Sequence, residues 1–199
     1  MNEFLKTEYE QCLSLIKYYD ERHHSIVKFA SGMSSAIPSI LMAIYQLGGN
    51  AADYYWQFTF VIALVTTLAL LSLFVVLIQT RLYFIYPARQ VNSIRRHHLK
   101  KIEGEKFENQ MYLNTTFSAF KWRSSQTLLN VFIAAQMGVF AGLTIYSYLK
   151  LTGVQDCIVS LSAGTGIICT LLAFALSASY LFQSSKYHPD KSIHRESVR

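Results

Sequence analysis

Side chains able to do chemistry are sparse in this chain, and their spacing works against catalysis. Two histidine pairs, His23/His24 and His97/His98, are the first candidates for metal or proton chemistry. Neighbours on a helix point about 100° apart, so neither pair can easily offer both imidazoles to one ion. His188 and Asp190 lie in a short polar tail, "KYHPDK". Cys12, Cys157 and Cys169 fall in three different regions, carry no metal or disulfide spacing, and read as small apolar fillers. No HExxH, phosphate-binding glycine loop, GxSxG elbow or Arg-x4-His pair is present. The expectation is a protein that is not an enzyme and that binds no metal or cofactor.

The remaining chemistry is basic. The stretch "VNSIRRHHLKK", residues 91–101, sets six cationic or near-cationic side chains in eleven positions. It follows "FTFVIALVTTLALLSLFVVLI", residues 58–78, where fifteen of twenty-one residues are Leu, Ile, Val or Phe. Nucleic acid would explain the basic part alone, and direct nucleic-acid binding is not expected. A membrane explains both parts together.

Composition supports the membrane. Apolar residues make up 52% of the chain and charged residues only 15%, against about 25% charged in a soluble domain. The charge is also segregated: residues 29–47, 58–80, 128–149 and 158–182 contain no Asp, Glu, Lys or Arg. About 20 residues of helix cross the roughly 30 Å hydrocarbon layer, so four spans are expected. The first window is the weakest, with Ser31, Ser34, Ser35, Ser39, Gly32 and Pro38. Residues 1–25 are too polar and acidic for a cleavable signal.

Lysine and arginine then set the orientation. Of 18 such residues, 17 fall in 1–28, 81–127 or beyond 183, and only Lys150 lies in a short hairpin loop. The positive-inside rule places that side, with both termini, in the cytoplasm, and the expected location is the cytoplasmic (inner) membrane. Tyr54, Tyr55, Trp56 and Phe58 would form an outer aromatic belt, and Tyr83, Phe84, Tyr86 and Trp122 an inner one.

The fold expectation is therefore all-α: an integral membrane four-helix bundle with a cytoplasmic N-terminal amphipathic helix and a basic cytoplasmic helical loop. The divisions are an amphipathic helix (1–25), a first transmembrane hairpin (26–84), the basic loop (85–127), a second hairpin (128–182) and a tail (183–199). Leu5, Tyr9, Cys12, Ile16, Tyr19, His23 and Ile26 alternate at spacings of four and three, an a/d seam. It suits either a coiled coil or packing on the loop of the same subunit, and no breaker separates it from the first span. Pro87 can kink the second span. Beyond it, Val91, Ile94, His98 and Ile102 form one stripe, with Arg89, Arg96 and Lys100 turned away toward anionic headgroups. Gly104 should end that helix, and another short one is expected around Phe107 to Phe120.

Small residues mark close-packing faces: Ala134, Gly138 and Gly142 on the third span, Gly164 and Gly166 on the fourth, and Ser31, Ser35 and Ser39 on the first. These faces suit either packing within one subunit or contacts between copies. Asn130 and Gln136 are candidates for interhelical hydrogen bonds or a pore lining. No ionisable residue sits at depth, which argues against a proton-coupled transporter, a small multidrug transporter or a voltage sensor.

The stretch "RLYFIYPARQVNSIRRHHLKK", Arg81 to Lys101, with the amphipathic arm before the first span, resembles small multi-pass membrane proteins of prokaryotic antiphage defence. These include accessory membrane proteins of type VI-B CRISPR loci. The resemblance implies a homo-oligomer in the inner membrane that alters permeability when a cytosolic sensor reports infection. The functional expectation is thus a homo-oligomer that forms or gates a pore. Its collar of Arg89, Asn92, Arg95, Arg96, His97, His98, Lys100 and Lys101 would touch lipid or a cytosolic defence or effector protein. Two alternatives stand beside it: a non-conducting anchor that recruits a cytosolic partner through the same collar, and a small solute transporter.

Overall fold

The computed structural model describes residues 3–46, 53–101, 113–154 and 156–186, with the side chains of Lys100 and Lys101 outside that description. Four long helices account for most of them: α1 (Glu3–Gln46), α2 (Tyr55–Lys101), α3 (Ser125–Leu151) and α4 (Ile158–Ser184). There is no strand among the described residues. All four helices are long and apolar enough to cross a membrane.

Neither 25/26 nor 84/85 is a break. The arm and the first span form one helix of 44 residues, and α2 runs for 47 residues through Pro87. At 1.5 Å per residue these measure roughly 65 and 70 Å, more than twice the hydrocarbon thickness. The two helices stay paired along this length. Tyr45 meets Tyr55 at 5.4 Å between ring centroids, Tyr19 stacks on Tyr83 at 6.1 Å, and the Tyr9 hydroxyl accepts from Arg95 at 3.0 Å. As α1 numbers fall, α2 numbers rise by about as much: one antiparallel hairpin in constant register. The heptad seam explains the pairing. Cys12 and His23 are buried, and Leu5, Tyr9, Ile16, Tyr19 and Ile26 are half-buried. The seam packs within its own chain, along the continuation of α2.

α2 and α3 touch across the middle. α1 packs mainly on α2 and α4 mainly on α3, so α1 and α4 occupy opposite corners of a rhombus. Val27, Ala30, Ile37 and Leu41 of α1, Leu70, Phe74 and Leu77 of α2, and Ile133, Ala134, Met137 and Phe140 of α3 form one core. Side chains, rather than a channel, occupy the centre of the single chain. α3 is the most enclosed helix: 44% of its most apolar stretch is buried, against 11% in α4.

The α3–α4 contact is made by backbone. A Cβ added at Gly138 would lie 2.5 Å from Gly166 O, one at Gly142 2.8 Å from Ser162 O, and one at Gly166 2.8 Å from Gly138 O. Apolar side chains gain little by leaving lipid for protein, so such close approach is what holds helices together there. Thr170 Oγ1 adds a hydrogen bond to Ala134 O at 3.4 Å. Gly138, Gly142 and Gly166 therefore pack α3 on α4 inside the chain, and Ala134 is buried beside them. Gly164 lies off this seam, with nothing within 4 Å of its added Cβ, and Gly32 on α1 is equally open.

The residue pattern predicts a short helix around Phe107 to Phe120. Residues 113–120 are not helical, and the rest of that stretch, like Ile102 and Gly104, lies outside the described residues. The physical reason is that side chains of α2 bond the backbone carbonyls of this segment.

Gly138→Val should push α3 from α4 and cost about 1–3 kcal/mol, as overpacking does. Gly164→Ala and Gly32→Ala should cost nothing measurable. Thermal unfolding of the three variants in detergent checks the contrast.

Candidate functional site

Residues 113–124 form a strap across the ends of α2, α3 and α4. An irregular backbone segment leaves carbonyls without the partners a helix would give them, and buried ones need donors from elsewhere. Three side chains spaced along one face of α2 supply them. Arg81 Nε donates to Ala119 O at 2.9 Å, Arg89 Nη2 to Phe117 O at 2.6 Å, and Asn92 Nδ2 to Asn114 O at 2.7 Å. Arg89 also donates to Ser185 O at the end of α4. The Ser185 hydroxyl in turn accepts from Ala119 N at 2.9 Å. Ile85, Ala119 and Leu181 close an apolar plug beneath these bonds. At the far end of the strap, Ser124 caps α3, its hydroxyl accepting from Thr127 N at 3.2 Å.

This corrects the expected collar. Arg89 and Asn92 are buried, at 9% and 6% exposure. They hold the strap instead of facing headgroups or a partner. Burial lowers the Arg89 guanidinium from its usual range, with nearby Tyr86 acting the other way. Arg95 is half-buried, and its guanidinium lies 5.7 Å from the centre of the Tyr9 ring. His98, expected on the buried stripe with Val91 and Ile94, is exposed, whereas those two are buried. Arg96, His97 and His98 together leave a tip of one guanidinium and two imidazoles open to solvent. Lys100 and Lys101, as side chains, lie outside the described residues, as do His188 and Asp190.

Arg81, absent from the expected site, organises a second layer. Its guanidinium donates to Gln126 Oε1, and Gln126 Nε2 donates to Asp20 Oδ1 at 3.0 Å. The neutral Gln126 amide of α3 thus bridges Arg81 of α2 and Asp20 of α1 just outside the charge-free windows. The sequence signal was available: Arg81 is the first charge after residues 58–80 and shares a helical face with Arg89 and Asn92.

His23 borders this layer, only 1% exposed, and neither ring nitrogen finds a partner among the described residues. Burial first, then the positive neighbours His24 and Arg81, hold its imidazole down to about 4, against the pull of Asp20. Deeper in the bundle, Gln136 accepts from Ser34 Oγ at 3.1 Å, so it bonds between helices. Asn130 is also buried, and its Oδ1 accepts from no described residue. Both amides point into the packed interior.

Chemically, the arrangement offers a surface for binding. Among the described residues no group of three or more His, Cys, Asp or Glu is placed to hold a metal ion. Cys12 is buried on the seam, Cys169 half-buried, and Cys157 exposed at the start of α4 with a left-handed φ of 57°. No family model, curated protein or solved structure matches the chain.

Two outcomes follow. Arg89→Met should leave the Phe117 and Ser185 carbonyls without their donor, at about 1–3 kcal/mol for each buried group. Tryptic cleavage at Arg123 should then accelerate at fixed temperature. For His23, the folded pKa lies below the ordinary 6.5, so the unfolded chain binds the proton more readily. Its contribution is complete above 6.5 and is lost as the pH falls toward about 4. His23→Leu should flatten the pH dependence of unfolding in the upper half of that window, above the titration of most carboxylates.

Proposed function

We propose that this protein is a membrane-seated adaptor. Its paired α1–α2 stalk presents the basic tip Arg96, His97 and His98 to an acidic surface of a cytosolic protein. The observation that carries this reading is the constant register of α1 on α2 from Tyr45–Tyr55 to Tyr9–Arg95. That pairing outlasts the apolar windows. Residues 81–96 extend roughly 20–25 Å past the end of the second window at 1.5 Å per residue. Such a length lifts the tip beyond the headgroup layer, where a soluble partner can reach it. Of the other α2 cations with described side chains, Arg81, Arg89 and Arg95 all bond within the chain. Seventeen of 18 lysines and arginines favour the cytoplasm for this side, and with it an inner-membrane location. Under the resemblance to antiphage membrane proteins, the partner would be a defence effector.

A second reading is a pore built from several copies. It draws on the open face of α1, where Gly32, Ser35 and Ser39 are exposed. The filled centre of the single chain requires such a pore to lie between copies.

The adaptor reading predicts salt-sensitive capture of a soluble acidic protein by the detergent-solubilised chain. The triple change Arg96→Glu, His97→Glu and His98→Glu should weaken capture roughly tenfold or more, since each exposed pair contributes up to about 1 kcal/mol. Vesicles holding the protein should keep a trapped dye with the partner present. Partner-dependent dye release, or capture that ignores the triple change, overturns the adaptor in favour of the pore.

A further inference from the structure

We infer that a short cleft between α2 and α4 is a binding site for one acyl chain of a membrane phospholipid. This goes beyond the adaptor reading and depends only on the helices crossing a bilayer. The cleft encloses about 380 Å³. Leu71, Val75 and Ile78 form its α2 wall, Ala173 and Leu176 its α4 wall, and Phe74 its floor. All of these lie inside charge-free windows, at the depth of hydrocarbon.

Two further lining residues identify the occupant. Gln79 and Tyr180 sit at the arm end of the cleft, beside the ends of the windows 58–80 and 158–182. Both are exposed, and neither side chain hydrogen-bonds to any other described residue. An exposed amide and a phenol at the membrane–water interface have N–H and O–H donors to offer to acceptors of the headgroup region. The ester carbonyls of a phospholipid lie at this level and accept hydrogen bonds, so they match the Gln79 amide and the Tyr180 hydroxyl as donors.

Length separates an acyl chain from a helix of a second copy. The lining runs from Leu71 to Gln79 and from Ala173 to Tyr180, about 12 Å at 1.5 Å per residue. On the arm side the lining ends at Gln79 and Tyr180, and the cluster of Ile85, Ala119 and Leu181 and the Arg89–Ser185 bond follow beyond them along the chain. A straight helix seats along a continuous trough, with axes 8–10 Å apart. A flexible chain can enter a short cleft sideways from the bilayer and leave its ester group at the polar end, with the headgroup beyond it in the interface.

The test uses the full chain in vesicles of dioleoyl phosphatidylethanolamine and phosphatidylglycerol, doped with a phospholipid carrying a diazirine on its acyl chain. After illumination, labelling at Leu71, Val75 and Leu176 should exceed labelling at Leu172, on the lipid-facing side of α4, severalfold. Gln79→Leu with Tyr180→Phe, which alters only exposed positions, should bring cleft labelling down to the Leu172 level. Ala173→Phe, which fills the cleft, should do the same. Uniform labelling of α4 in the unmodified protein overturns the proposal. So does efficient disulfide coupling of two copies through Leu176→Cys, which would make the occupant a second chain.

Discussion

Where a non-helical segment turns its backbone carbonyls toward the protein, they must find hydrogen-bond donors, and residues 113–124 find theirs on α2. Arg81, Arg89 and Asn92 reach three carbonyls of the strap, and Arg89 reaches the end of α4 as well. The rest of the arm side depends on this. It leads into the start of α3, ties α4 to α2 although the helices barely touch elsewhere, and uses up the two α2 cations nearest the second apolar window, Arg81 and Arg89. What it leaves exposed at the far part of α2 is the tip beyond Arg95, with Arg96, His97 and His98. Arginine suits the task, because its several N–H groups serve two carbonyls at once and its charge survives partial burial.

The two hairpins are held by different physics. In α3–α4 the helices meet at Gly138, Gly142 and Gly166, where backbone approaches backbone and no apolar driving force is needed. In α1–α2, much of the contact lies outside the charge-free windows, where water restores the hydrophobic effect. The aromatic and aliphatic seam from Leu5 to Ile26 works there as it would in a soluble coiled coil. Polar relays mark the change of solvent: Arg81–Gln126–Asp20 at the boundary, and Ser34–Gln136 within.

Much of this was legible in the residues. Charge-free windows located four helices because transfer of charge into hydrocarbon is costly over any context. The heptad spacing located the buried face of the arm, since a helical period needs no knowledge of the partner. The strap was not legible. "LNTTFSAFK" contains no Pro or Gly to break a helix, and the donors that hold it open come from residues 22 to 38 positions earlier in the chain. The buried stripe was followed one turn too far, to His98, because periodicity alone does not say where the opposing surface stops. Small residues showed that close faces exist without saying which helix fills them: Gly164 and Gly166 differ by two positions, yet only Gly166 meets α3. Arg89 looked like a surface cation because nothing local reveals a carbonyl 28 residues away.

The glycine seam also bears on biogenesis. α3 and α4 are joined by a short loop and approach most closely where backbone meets backbone, so this pair needs no other helix to form its closest contact. Ser185, which receives the bond from Arg89, emerges only after the whole of α4. The strap can therefore lock onto its last anchor only when the final helix is in place, although its bonds to Arg81 and Asn92 need no part of α4.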